Sequence, residues 1–294
     1  MKAAKLCARS GTVWAIRVEN LKKRYGEVEA LKGVTFSVAA GELFALLGPN
    51  GAGKTTTIRI LCGLTRPSGG RAFFFDCEVF REPIRAKKMA GLVPQTINLD
   101  LELTLWENLL IHGLLFGLSR ETIKKRAEEL LSFAGLFERR HHKVRTLSGG
   151  MRRRLLIIRA LMHEPRILFL DEPTVGLDPH IRRKLWGLIK RIQQQGTTIL
   201  LTTHYIEEAE FLANRVAFID QGEIIVIDTP QALTERLGLF AVDLVKEDGL
   251  ETHYFPSREE AEEFMVQMGK RGETVTLRRV NLEDAFVHFT GKRV

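Results

Sequence analysis

Cysteine is scarce: Cys7, Cys62 and Cys77 are the three in 294 residues. Their spacing matches no metal-binding pattern and an odd number cannot all pair, which excludes a disulfide framework or a zinc module and fits a reducing compartment. Long apolar runs are missing as well. No stretch approaches the ~20 residues needed to cross a bilayer; the nearest, 109–118 and 199–201, are broken by His112 or bounded by His204 and Glu207. The first ten residues are basic but have no apolar centre of signal-peptide length, so 1–13 reads as a disordered lead-in. No block of one charge sign dominates either. The net charge of +8 is spread along the chain, with short runs at Arg139-Arg140 and Arg152–Arg154, and no nucleic-acid partner is expected from it. What remains is ordinary globular composition, 45% hydrophobic and 27% charged, enough for one large domain and a small one.

Paired strands are expected at 15–19 and 33–38, then a strand at 43–47, and further strands at 71–75 and up to Gln95. From Thr104 the period becomes helical. Thr104 with Glu107 forms a capping box, and Ser119 caps a helix over 120–134. Another helix follows Ser148-Gly149-Gly150, then a continuous apolar strand at 166–170, a helix opened by Asp178-Pro179, a strand at 198–201 and a helix from Tyr205. Strands at 215–220 and 223–227 are assigned, with those at the start, to a second and smaller β layer. The alternation indicates an α/β fold with a largely parallel sheet over 14–237, its helical segment near 96–160. Residues 238–294 read as a small α+β appendage, with a capping box at Ser257–Glu260 and a terminal helix from Asn281. The apolar face of that helix, Leu282, Ala285, Phe286 and Phe289, is expected to seal the small unit.

The stretch Gly48-Pro49-Asn50-Gly51-Ala52-Gly53-Lys54-Thr55-Thr56 lies between a strand and a helix start. Only that context gives a glycine-rich loop the geometry to cradle phosphates with its backbone N–H groups. Lys54 can reach the β- and γ-phosphates, and the Thr55 hydroxyl can ligate Mg²⁺. Asp171-Glu172 ends the buried strand at the carboxyl edge, where α/β sheets bind ligands. Asp171 is suited to hold Mg²⁺ and Glu172 to polarise an attacking water. Cys62, on the helix after the loop, reads as a small core residue.

The order of phosphate loop, Gln95, Leu147-Ser148-Gly149-Gly150, Ile167 to Glu172, Gly176-Leu177-Asp178 and Thr203-His204 resembles the ATP-binding-cassette (ABC) ATPase family, over roughly 15–235. The resemblance implies a P-loop NTPase core with ATP and Mg²⁺ as cofactors. It implies that Tyr25 stacks on adenine, that Gln95 touches Mg²⁺ and the attacking water, and that His204 bonds the γ-phosphate. It further implies that Ser148, Gly149 and Gly150 bind the ATP held by an opposite subunit while Asp178 joins the two sites, so two chains sandwich two nucleotides. Met151 departs from the glutamine common in the family at that position.

Three uses of the energy compete: a transporter subunit, a soluble ABC protein acting on nucleic acid or ribosomes, and a kinase or switch. The interval between Gln95 and Ser148 has no coiled-coil or zinc insertion, and one cassette is present rather than two. That pattern favours a transporter ATPase serving a membrane permease in trans, peripheral on the cytoplasmic face of the membrane. The tail from Asn281 to Gly291 resembles that of exporter cassettes for drugs, lipids, polysaccharides or sodium.

Overall fold

The apolar runs near 43, 167 and 198 show no polar alternation, so strands made from them need cover on both faces. A computed structural model, describing residues 12–246 and 249–291, gives them that cover. Most of the lead-in expected over 1–13, and Cys7 with it, lies outside the described residues. The chain begins with β1 (Trp14–Tyr25), β2 (Val28–Ala39), β3 (Leu43–Leu47), α1 (Lys54–Leu61), β4 (Gly69–Phe74), β5 (Cys77–Glu78), α2 (Pro83–Met89) and β6 (Ala90–Val93). It continues with α3 (Leu105–Leu115), α4 (Arg120–Phe133), α5 (Gly149–Ala160), β7 (Ile167–Asp171), α6 (Pro179–Gln194), β8 (Thr198–Thr203) and α7 (Ile206–Leu212). Last come β9 (Arg215–Asp220), β10 (Glu223–Asp228), α8 (Pro230–Glu235), β11 (Phe240–Lys246), β12 (Gly249–Phe255), α9 (Arg258–Lys270), β13 (Val275–Arg279) and α10 (Leu282–Thr290).

The main sheet has six strands in the order β10-β9-β3-β8-β7-β6. All pairs are parallel except β10 with β9. Every residue of β3, β7 and β8 is buried. One face packs on α3 to α7; the other packs on α1 and an antiparallel sheet of order β2-β1-β4-β5. Phe36 stacks on Phe44 at 5.3 Å between the two sheets. The strands at 215–228 do not join the antiparallel layer, contrary to the sequence reading. β9 is buried from Val216 to Ile219 and bonds in parallel to β3, because an uninterrupted apolar run needs a sheet covered on both sides. β1 and β2 run longer than expected, since Asn20, with φ 49°, accommodates an irregularity in the register and pairing resumes beyond it. α2 was not anticipated: only Ala86 of its seven residues is buried, so it carries no apolar stripe.

The helical segment starts with the expected capping box. Thr104 Oγ1 accepts from Glu107 N at 3.1 Å, and Thr104 N donates to the Glu107 carboxylate at 2.7 Å. Ser119 caps α4. At the C-terminal end, α9 packs on a three-stranded antiparallel sheet of order β12-β11-β13. Ser257 caps α9, but the Glu260 carboxylate takes the Ser257 hydroxyl rather than its backbone N–H. The terminal helix departs from expectation. Leu282, Ala285 and Phe286 join the main hydrophobic core, and Phe286 meets Phe218 of β9 edge-on at 5.1 Å. Its apolar face therefore covers the main sheet rather than sealing the small unit. Among the described residues no helix is long and apolar enough to cross a membrane.

Candidate nucleotide site

β3, β7 and β8 all end at one edge of the sheet, and the chain turns sharply at each end. A Cβ on Gly48 would stand 2.1 Å from the Ile219 carbonyl oxygen, so only glycine lets the loop leave β3 so close to β9. Gly53, at φ 106°, is the N-cap of α1, and no side chain caps the helix or places an acid in its first turn. The first backbone N–H groups of α1 therefore face the loop without a protein anion, the arrangement that favours phosphate. Asn50 and Gly51 are exposed at the tip, Pro49, Gly53, Thr55 and Thr56 are half-buried, and Ala52 is buried.

Lys54 is buried, and its Nζ donates to the Gly48 carbonyl at 2.7 Å and the Pro49 carbonyl at 3.1 Å. The same Nζ lies 3.2 Å from Glu172 Oε1. Glu172 Oε2 in turn lies 2.5 Å from Nδ1 of His204. Lysine, glutamate and histidine thus form one continuous chain across the ends of α1, β7 and β8. Glu172 has φ 49°, a left-handed conformation uncommon outside glycine and often found where a functional side chain is aimed. Its N–H donates to the Thr202 carbonyl at 3.1 Å, which holds the turn.

Thr55 Oγ1 donates to Asp171 Oδ1 at 3.0 Å, and Thr202 Oγ1 donates to the same oxygen at 2.6 Å. Burial raises the Asp171 pKa above the usual carboxylate range, with the charge of Glu172 adding to it; Thr202, Thr55 and Lys54 oppose the shift. A hydroxyl and a carboxylate at hydrogen-bond distance are hard oxygen donors, suited to Mg²⁺ shared with a nucleotide phosphate. Among the described residues no three His, Cys, Asp or Glu side chains form a metal cage.

The other anticipated residues lie on separate elements. Gln95 is exposed just past β6. Ser148 is the exposed N-cap of α5, its Oγ accepting from Met151 N at 3.3 Å, with Gly149 and Gly150 opening the helix. Asp178 is the exposed N-cap of α6 and makes no side-chain cap bond. Tyr25 is 45% exposed, with Lys23 Nζ 4.7 Å above its ring. Cys62 is half-buried: it packs against the core beneath α1 and also lines a groove between α1 and the helical segment. Two residues went unread in the sequence. Thr202 ties Asp171 and Glu172 to β8; its only signal is a polar residue ending an apolar strand. Arg153 lies within the short charge run at 152–154, noted in the sequence for its sign alone, and it is buried.

The family model described as ABC transporter matches residues 31–175. The linearmycin resistance ATP-binding protein LnrL of Bacillus subtilis is 46% identical over 76% of this chain and 72% of its own length. The Nod factor export ATP-binding protein I of Ralstonia nicotianae is 40% identical over 97% and 96%. The chain belongs to the ABC transporter ATP-binding family. Among solved structures, an ATP-binding subunit of an ABC transporter superposes with a TM-score of 0.68 at 31% identity, over 76% of this chain and 92% of that one. A dimeric ATP-binding cassette in a post-hydrolysis state with ADP and phosphate superposes with a TM-score of 0.65 at 31% identity, over 73% and 98%. The ABC cassette fold thus accounts for about three quarters of the chain, and the Nod factor export relative also spans the C-terminal unit.

Proposed function

We propose that this chain is the ATP-hydrolysing subunit of an exporter, working as a head-to-tail pair under a separate membrane permease. The observation that carries the reading is the Lys54–Glu172–His204 chain beside the Thr55–Asp171 pair at one sheet edge. A triphosphate entering the loop meets the N–H groups of 48–56 and competes with the Gly48 and Pro49 carbonyls for Lys54. Thr55, Asp171 and Gln95 would hold Mg²⁺, which neutralises phosphate charge when bound. Once Lys54 turns to phosphate, Glu172 is free to accept the proton of an attacking water, and His204 holds that carboxylate in register. Tyr25 offers its exposed face to adenine. Ser148, Gly149 and Asp178 are exposed at helix starts, where an opposite subunit's nucleotide can reach them, and the buried Gly150 contributes its position in the first turn of α5. Residues 14–237 form the ATPase body and 238–294 the appended unit in this reading, with the body peripheral on the inner face of the membrane. Export rests on relatives named for it that match nearly the whole chain. Glu172→Gln tests the site: with ATP and Mg²⁺ it should elute as a stable dimer and lose turnover. Wild-type turnover by that variant would overturn the assignment.

A further inference from the structure

Arg153 is 4% exposed, and no salt bridge to a carboxylate is found for it among the described residues. Its Nη1 donates to the Pro94 carbonyl at 2.9 Å and its Nη2 to the Gln95 carbonyl at 2.8 Å, while its Nε has no partner. A buried guanidinium hydrogen-bonded only to carbonyls is costly: burial lowers its pKa, and the charges of Glu208 and Asp171 oppose that shift without reversing it. Further along the same helix, Arg159 donates to the Asn98 backbone oxygen at 2.9 Å and to its Oδ1 at 2.5 Å. The segment after β6 is irregular, so its main-chain carbonyls need partners from outside the segment. Two arginines of α5 supply them at 94, 95 and 98. Ser148 caps the start of that helix. The backbone of Gln95 and the hydroxyl of Ser148 therefore belong to one rigid piece.

We propose that Arg153 is a positioning residue for hydrolysis, fixing the main chain of Gln95 to α5. Engagement of Ser148 with the opposite subunit's nucleotide then sets where the Gln95 amide stands in its own site. The proposal rests on the roles given above to Gln95 and Ser148. Arg152 and Arg154 do not substitute for it: Arg152 holds the carbonyls of Val144 and Arg145, and Arg154 that of Ala134.

The test is a double-mutant cycle on the full chain, with ATP turnover measured against ATP and Mg²⁺ concentration. Arg153→Met should lower kcat about tenfold and raise the Mg²⁺ requirement, with KM for ATP within about twofold. Gln95→Ala should do the same, and the double variant should fall less than about twofold below Gln95→Ala alone, because the arginine acts through Gln95. Equilibrium ATP binding without Mg²⁺ checks that the loop at 48–56 is intact. If Arg153→Met fails to fold, Arg153→Lys carries the same cycle, as its ammonium keeps the charge but cannot span both carbonyls. A wild-type kcat in the Arg153 variant beside a slow Gln95→Ala, or losses that multiply, overturns this proposal alone. Wild-type turnover by Gln95→Ala overturns the role given to Gln95, and this proposal falls with it.

Discussion

The strands at the nucleotide end and those of the C-terminal unit are held by different means. β3, β7 and β8 are buried at every position, and the polar groups at their ends are tied into one another: Thr202 to Asp171, Glu172 to His204 and Lys54. β12 is exposed from Gly249 to Glu251 and nowhere fully buried. There the fixed point is ionic: Arg278 of β13 joins Asp243 of β11 at 2.6 Å and Asp284 of α10 at 2.6 Å. The contrast shows where each unit gets its rigidity. A parallel sheet covered on both faces can aim catalytic side chains without further support, whereas a small sheet leans on its neighbour, here through α10.

If that is right, the weakest point of the small unit is a residue buried in the large one. Phe286→Ala should cost about 3–5 kcal/mol and lower the denaturation midpoint of the whole chain in one transition. A separate early transition confined to 238–294 would break the comparison. At the nucleotide end the expected loss is in chemistry. Lys54→Ala should reduce ATP turnover by about a hundredfold or more, since it removes a preorganised charge at the phosphates; unaltered nucleotide binding and turnover would count against the site. The cap of α10 sharpens the comparison at smaller scale. Asn281 accepts from Asp284 N at 3.0 Å, so Asn281→Ala should cost about 1 kcal/mol by denaturant titration. Val266 of α9 is 53% exposed, and Val266→Ala should stay within about 0.5 kcal/mol of wild type.

The groove beside the helical segment is where a pH dependence of stability is expected. Burial, with the charges of Arg159 and His163 nearby, holds the His112 pKa down at about 4 from an ordinary 6.5. Between those values the unfolded chain binds a proton that the folded chain refuses. Stability should therefore fall as pH drops through that window and level off above it. His112→Gln should flatten the slope, which thermal unfolding across the same pH range measures.

Much of the site is local in the chain. The turn at 48–56 follows its strand directly and Asp171-Glu172 ends another, so the expectations for these two pieces came from their own few residues, whereas that for His204 came only from the family resemblance. The capping residues Thr104 and Ser119 were legible because a cap is satisfied within one helical turn. The misread parts depend on partners far away in sequence. Nothing near Arg153 in the chain announces that it will be buried against carbonyls 58 and 59 positions earlier. Nothing in 281–291 says whether an amphipathic face will cover its own sheet or another.

By itself the sequence determined the kind of fold, the phosphate loop and the order of the functional segments, because backbone geometry and hydrophobic period act over a few residues. Tertiary structure alone decided that β9 and β10 complete the main sheet, that α10 closes the main core, and that Lys54, Glu172 and His204 touch. Those outcomes follow from competition among distant surfaces for burial, a contest no short stretch of chain encodes.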